Sequence, residues 1–134
     1  MLSPSSQIQS FLDTQYRDLN FEKFCSNLKG VGVSYFVFNA MTNDLSFFSK
    51  NQYICSCFRY DIAKEMKHDW PSLAEELHAI ELEKAITQVD SQQIDSVTFH
   101  RLAQAAGVIS CTIFLEARKI YYFGLNGDFY LETF

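Results

Sequence analysis

The sequence predicts an α+β domain in which two helix-strand-strand-strand repeats form one antiparallel sheet, with the helices packed on one face. The stretch "KFCSNLKGVGVSYFVF", residues 23–38, reads as a helix that stops at a glycine and runs into a strand, and "TFHRLAQAAGVISCTIF", residues 98–114, does the same. Placing Gly32-Val33 on Gly107-Val108 sets an offset of 75 residues, at which Phe24 meets Phe99, Phe48 meets Phe123 and Asn51 meets Asn126 without a gap. Composition agrees: 13 Phe and 7 Tyr, with Trp70, make 16% of the 134 residues aromatic, and aromatic side chains favour sheet. A hydrophobic share of 48% supplies the core of a single domain over residues 1–134.

Residues 1–8 are polar and read as frayed, and "FLDTQYRDLN" then carries a few apolar positions at helical spacing. Phe21, Phe24, Cys25 and Leu28 follow i, i+3, i+4 and i+7, with Asn20 placed to cap that helix and Gly30 to end it. A strand, "VGVSYFVFNA", turns at "MTND" into "LSFFSK", and "NQ" leads to a third strand, "YICSCFRY". This first half spans about 18–56, and a helical connector over 61–90 follows. Pro71, then Ser72 with Glu75 at capping-box spacing, opens "SLAEELHAIELEKAITQV", the longest predicted helix. Its apolar residues form two stripes: Leu73, Leu77 and Ile80 share one face, while Leu82, Ala85, Ile86 and Val89 share the other, so it either kinks near Ile80 or packs on two sides. In the second half, about 94–131, Asp95 caps a helix bearing Phe99, Leu102, Ala103 and Ala106, and Gly107 ends it. Strands "VISCTIFL", "IYYF" and "FYLETF" complete the unit, with Gly124 and Gly127 in the last turn.

Alternation assigns the strand faces. Ile109, Cys111, Ile113 and Leu115 should face the helices, as should Phe36 and Phe38, which leaves Val33, Tyr35 and Val37 on the open face. An apolar patch there marks a surface for a partner or ligand unless the amino-terminal segment or the middle helix covers it.

A formal charge of -5 with scattered Lys and Arg gives no electrostatic reason to approach nucleic acid or an anionic membrane. The start lacks the basic and apolar regions of a secretory signal, and no apolar run approaches the roughly 20 residues of a membrane span, so a cytoplasmic location is expected. Cys25, Cys55, Cys57 and Cys111 fall in element interiors and read as reduced packing residues. Cys55 and Cys57 have one half of a zinc-site spacing, but no second pair stands at ligand spacing, so neither metal nor cofactor is expected. His68, His78 and His100 lie in no nucleophile motif, and a Cys25–His100 couple across the two halves is the weak enzymatic alternative. Glu75, Glu76, Glu81 and Glu83 read as a solvated helix face, and Trp70 as either an interface anchor or a core plug.

The stretches "DSVTFHRLAQAAGV" and "IYYFGLNGD", together with "FEKFCSNLKGVGVSYFVF", resemble the family of unknown function 1398 over about residues 18–130. Enterobacterial members of that family carry the label phage envelope protein. The resemblance rests on Thr98-Phe99, Ala105-Ala106-Gly107-Val108, Tyr121-Tyr122 and Asn126-Gly127 in this order. Two positions depart from it, since members often carry Cys at the place of His100 and a large aromatic at the place of Cys111. The resemblance implies a small bacterial accessory protein of mobile-element origin and implies no activity.

The expected function is therefore non-enzymatic binding or regulation, with a sheet face or edge presented to a protein partner or a second copy, and Tyr35 and Val37 in that surface. The alternative is a small-molecule binder with an aromatic-lined pocket between the two halves, gated by His100 or Tyr122.

Overall fold

The computed structural model describes residues 3–15, 21–65 and 72–134. Asn20, His68, Trp70 and Pro71, each singled out above, lie outside the described residues. The first element among the described residues is helix α1, Pro4–Gln15, so within the described part of residues 1–8, where the sequence predicts a frayed start, Pro4 to Ile8 are helical. Ser3 followed by Pro4 is a helix start in its own right: the Ser3 hydroxyl accepts from the Ser6 amide at 3.2 Å. Ile8 is then fully buried, with Phe11 and Leu12 packed beside it on the same stripe. Helix α2, Phe21–Gly30, buries Phe24, Cys25 and Leu28, three of the four residues its periodicity nominated.

Six strands form one antiparallel sheet in the order β3-β2-β1-β4-β5-β6. They are β1 Tyr35–Asn39, β2 Asp44–Phe48, β3 Tyr53–Phe58, β4 Val108–Phe114, β5 Lys119–Gly124 and β6 Phe129–Thr133. Helices lie alongside it, as an α+β architecture requires. The hairpin pairs Tyr35↔Phe48, Phe36↔Phe47 and Leu45↔Cys57, each shifted by 75 residues, fall on the observed pairs Ser110↔Phe123, Cys111↔Tyr122 and Ile120↔Glu132. The same shift carries the left-handed residues Gly32 (φ 93°) and Asn43 (φ 58°) onto Gly107 (φ 99°) and Arg118 (φ 55°).

Between the halves stand α3, Tyr60–Glu65, and α4, Ala79–Asp90. The predicted helix start at Ser72 does not form, and residues 72–78 run as an irregular segment instead. Long-range pairing claims their backbone: the His78 amide donates to the Ala106 carbonyl at 2.7 Å, and the Glu75 carbonyl accepts from Asn126 Nδ2 at 3.1 Å. The two apolar stripes are thereby resolved. Leu73 and Leu77 are half-buried in the segment, Ile80 is 71% exposed, and only Leu82, Ala85 and Ile86 form the buried face of α4, which at 12 residues equals α1 in length. Helix α5, Ser96–Ala105, starts as expected, with the Asp95 carboxylate accepting from the Thr98 amide at 2.8 Å.

Strand faces follow the alternation with two corrections. A register shift between Val108 and Ser110 buries Val108 and leaves Ile109 half-buried. Val33 precedes β1 and is buried, because its amide still closes onto Leu28 at the end of α2. Among the described residues, no helix is long and apolar enough to cross a membrane.

Candidate functional site: a cavity between sheet and helices

The inner face of the sheet does not pack solidly against the helices. A cavity of about 530 Å³ separates them, floored by Phe36 and Phe38 of β1, Leu45 of β2, Cys111 and Ile113 of β4, and Ile120 and Tyr122 of β5. Phe24 of α2, Ile86 and Val89 of α4 and Phe99 of α5 close it from above, so both halves and the connector contribute. The exposed residues Glu22, Asp90, Gln92 and Thr133 mark its mouth.

Polar groups gather on one part of this apolar wall. Tyr122 Oη donates to Glu132 Oε1 at 2.7 Å. Burial, reinforced by the Glu132 charge, pushes the phenol well above its ordinary range. Burial also raises the Glu132 carboxyl, and the nearby Asp90 charge adds to the rise against the opposing Tyr122 hydrogen bond; burial raises Asp90 too. The His100 ring lies 4.5 Å from Phe38 and 5.8 Å from Phe99, centroid to centroid. Burial, with the charge of Arg59 behind it, lowers His100 to about 3, so the imidazole is neutral at physiological pH. Among the described residues, no hydrogen-bond partner reaches that imidazole, and no Lys or Arg lines the cavity. The wall can therefore hold an apolar body and offer acceptors to one polar group.

Of the four residues nominated from sequence, His100 and Tyr122 come together in this cavity. Tyr122 is 4% exposed and held by Glu132, and His100 lines the wall. Tyr35 and Val37 lie half-buried on the opposite face of the sheet. There Tyr35 belongs to a ladder with one ring from each strand, Tyr53, Phe48, Tyr35, Phe114, Tyr121 and Phe129, with neighbouring centroids 4.7 to 5.8 Å apart and the last pair at 5.9 Å. Tyr53 and Phe129 at its ends are 56% and 59% exposed. Sequence reasoning missed Glu132 and Asp90. The signal for Glu132 was present, because β6 alternates Phe129 and Leu131 outward with Tyr130 and Glu132 inward, and an acid at an inward strand position is unusual.

Burial holds the Cys25 and Cys111 thiols protonated. Burial and the Glu22 charge push Cys25 to about 12, and the charged groups around it are Glu22 and Arg118, whereas those around His100 are Arg59 and Asp61. Cys57, raised to about 12 by burial and by neighbouring Cys55, faces the helices beside Leu45. Among the described residues, no group of three or more His, Cys, Asp or Glu is arranged to hold a metal ion.

A protein-family model described as a protein of unknown function (DUF1398) matches residues 9–133. No curated protein matches the chain.

Proposed function

Since the chain belongs to the DUF1398 family, whose function is unknown, we propose its role from the site: it binds a small, largely apolar molecule between the sheet and the helices. The observation that carries this reading is the cavity of about 530 Å³, with aromatic and aliphatic walls and a few convergent polar groups. Ligand sites typically measure about 300–1,000 Å³ and have this mixture of lining. Raised thiols argue for binding over covalent chemistry. The test is fluorescence titration with the apolar dye N-phenyl-1-naphthylamine. Dye should bind the wild type and be displaced from Cys111→Phe, whose added ring enters the floor of the cavity. Undiminished dye binding by a folded Cys111→Phe protein would refute the assignment.

A second reading rests on the aromatic ladder: the open sheet face docks a second copy of this chain. Six strands at about 4.8 Å spacing and five residues at about 3.3 Å rise give a face of roughly 480 Å². Two such faces bury about 1,000 Å², the lower bound of a specific interface. Alternation places only Asp44 and Lys119 as charges on that face, so a like surface meets little repulsion.

A further inference from the structure

Resting on the cavity reading, we propose that the ligand is an organic cation, a protonated amine on an apolar body, with its ammonium group held by Glu132 and Asp90. Three carboxylate residues line the cavity, Glu22, Asp90 and Glu132. Glu22 is engaged by Arg118 at the mouth. Asp90 has no ion pair or side-chain hydrogen bond among the described residues, and Glu132 has only the neutral Tyr122 phenol. The half-buried Glu132 carboxylate, with the Asp90 charge near it and no cation, is held at a cost, and a ligand carrying positive charge is the occupant that relieves it.

His100 supplies an independent observation. Its imidazole faces the cavity, neutral and without a hydrogen-bond partner among the described residues, so it offers an acceptor to an N–H group. The rings of Phe38 and Phe99 beside it line the same cavity and supply wall for the apolar body that carries the amine. An anionic ligand would meet two carboxyls and no compensating Lys or Arg in the lining. The net charge of -5 acts in the same sense at long range, drawing cations toward the mouth.

The experiment is calorimetric titration at neutral pH with three probes on one skeleton: tryptamine, the alcohol tryptophol and the carboxylate indole-3-acetate. Tryptamine should bind at least about tenfold tighter than tryptophol, the size of one charge-assisted contact, and indole-3-acetate should bind weakest. Glu132→Gln should remove most of the tryptamine advantage over tryptophol. Asp90→Asn, at an exposed helix end, should reduce the same advantage and serves if Glu132→Gln does not fold. Equal affinity for tryptamine and tryptophol would overturn the cation and leave the cavity assignment standing. Absence of binding by all three probes would overturn both.

Discussion

Gly32 and Gly107 close equivalent helix-strand junctions with nearly the same backbone, φ 93° and φ 99°, so the same alanine substitution separates conformational strain from packing. At Gly32 an added Cβ meets nothing within 4 Å. Its cost is the left-handed backbone alone, about 1–2 kcal/mol. At Gly107 the Cβ would stand 2.5 Å from the Glu76 carbonyl oxygen and 3.1 Å from Leu77 Cα, both backbone atoms that cannot rotate away. The segment 72–78 must move, which breaks the His78–Ala106 and Asn126–Glu75 hydrogen bonds at about 1 kcal/mol each. Gly107→Ala should therefore cost about 3–4 kcal/mol, against about 1–2 for Gly32→Ala. Urea unfolding followed by circular dichroism, with equal slopes for both variants, measures the difference. Because the segment leads into α4, which roofs the cavity, Gly107→Ala should also weaken dye binding. Equal losses at the two glycines would show that the segment does not lie against Gly107, and the account of why the capping box at Ser72 fails would fall with it.

Replacing Tyr35 and Val37 together by Ser should shift self-association measured by sedimentation by about 1–2 kcal/mol if the open face is a dimer surface. The melting point should fall only modestly, since both residues are half-buried, and a collapse of stability without any change in association would remove the second reading. The Glu132 carboxyl, raised above its ordinary value of 4.5 by burial, favours folding when protonated, a contribution complete below that value and lost as pH climbs through the raised one. Glu132→Gln, which keeps an acceptor for Tyr122, should thus melt higher than wild type at neutral pH, and the gap should close as the solution is acidified to below about pH 4. A gap that widens in acid would contradict the direction of the shift.

What the sequence disclosed was local. Asp95 before Thr98, and Gly107 before Val108, are each read from a few neighbouring residues, and in both places the backbone does what that chemistry asks. Six strands were legible because Phe, Tyr, Ile and Val alternate between turns. Ser72 with Glu75 was an equally local signal, yet residues 75 and 78 bond to partners 28 to 51 positions away, and distance along the chain hides such competition. At Ser3-Pro4 the start signal was present, and the polar run after it concealed that Ile8, with Phe11 and Leu12, anchors α1. The cavity was least legible of all, because an unfilled volume depends on which side chains the register brings opposite one another. His100 and Tyr122 were named without the carboxyls that give their surroundings a chemical character.

The origin of that hollow is visible in the 75-residue correspondence between the halves. Phe36 answers to Cys111, Phe38 to Ile113 and Leu28 to Ala103, and at all three the second half carries the smaller side chain. On the floor of the cavity, β4 thus carries less carbon at Cys111 and Ile113 than β1 does at Phe36 and Phe38. A core lacking that much filling is weaker than it could be, and an occupant that supplies the missing contacts is linked to folding: at a hundred times its Kd it adds about 2.7 kcal/mol. Empty and filled chains would then differ in how long they survive proteolysis, so the quantity of this protein in a cell would itself report whether its occupant is there.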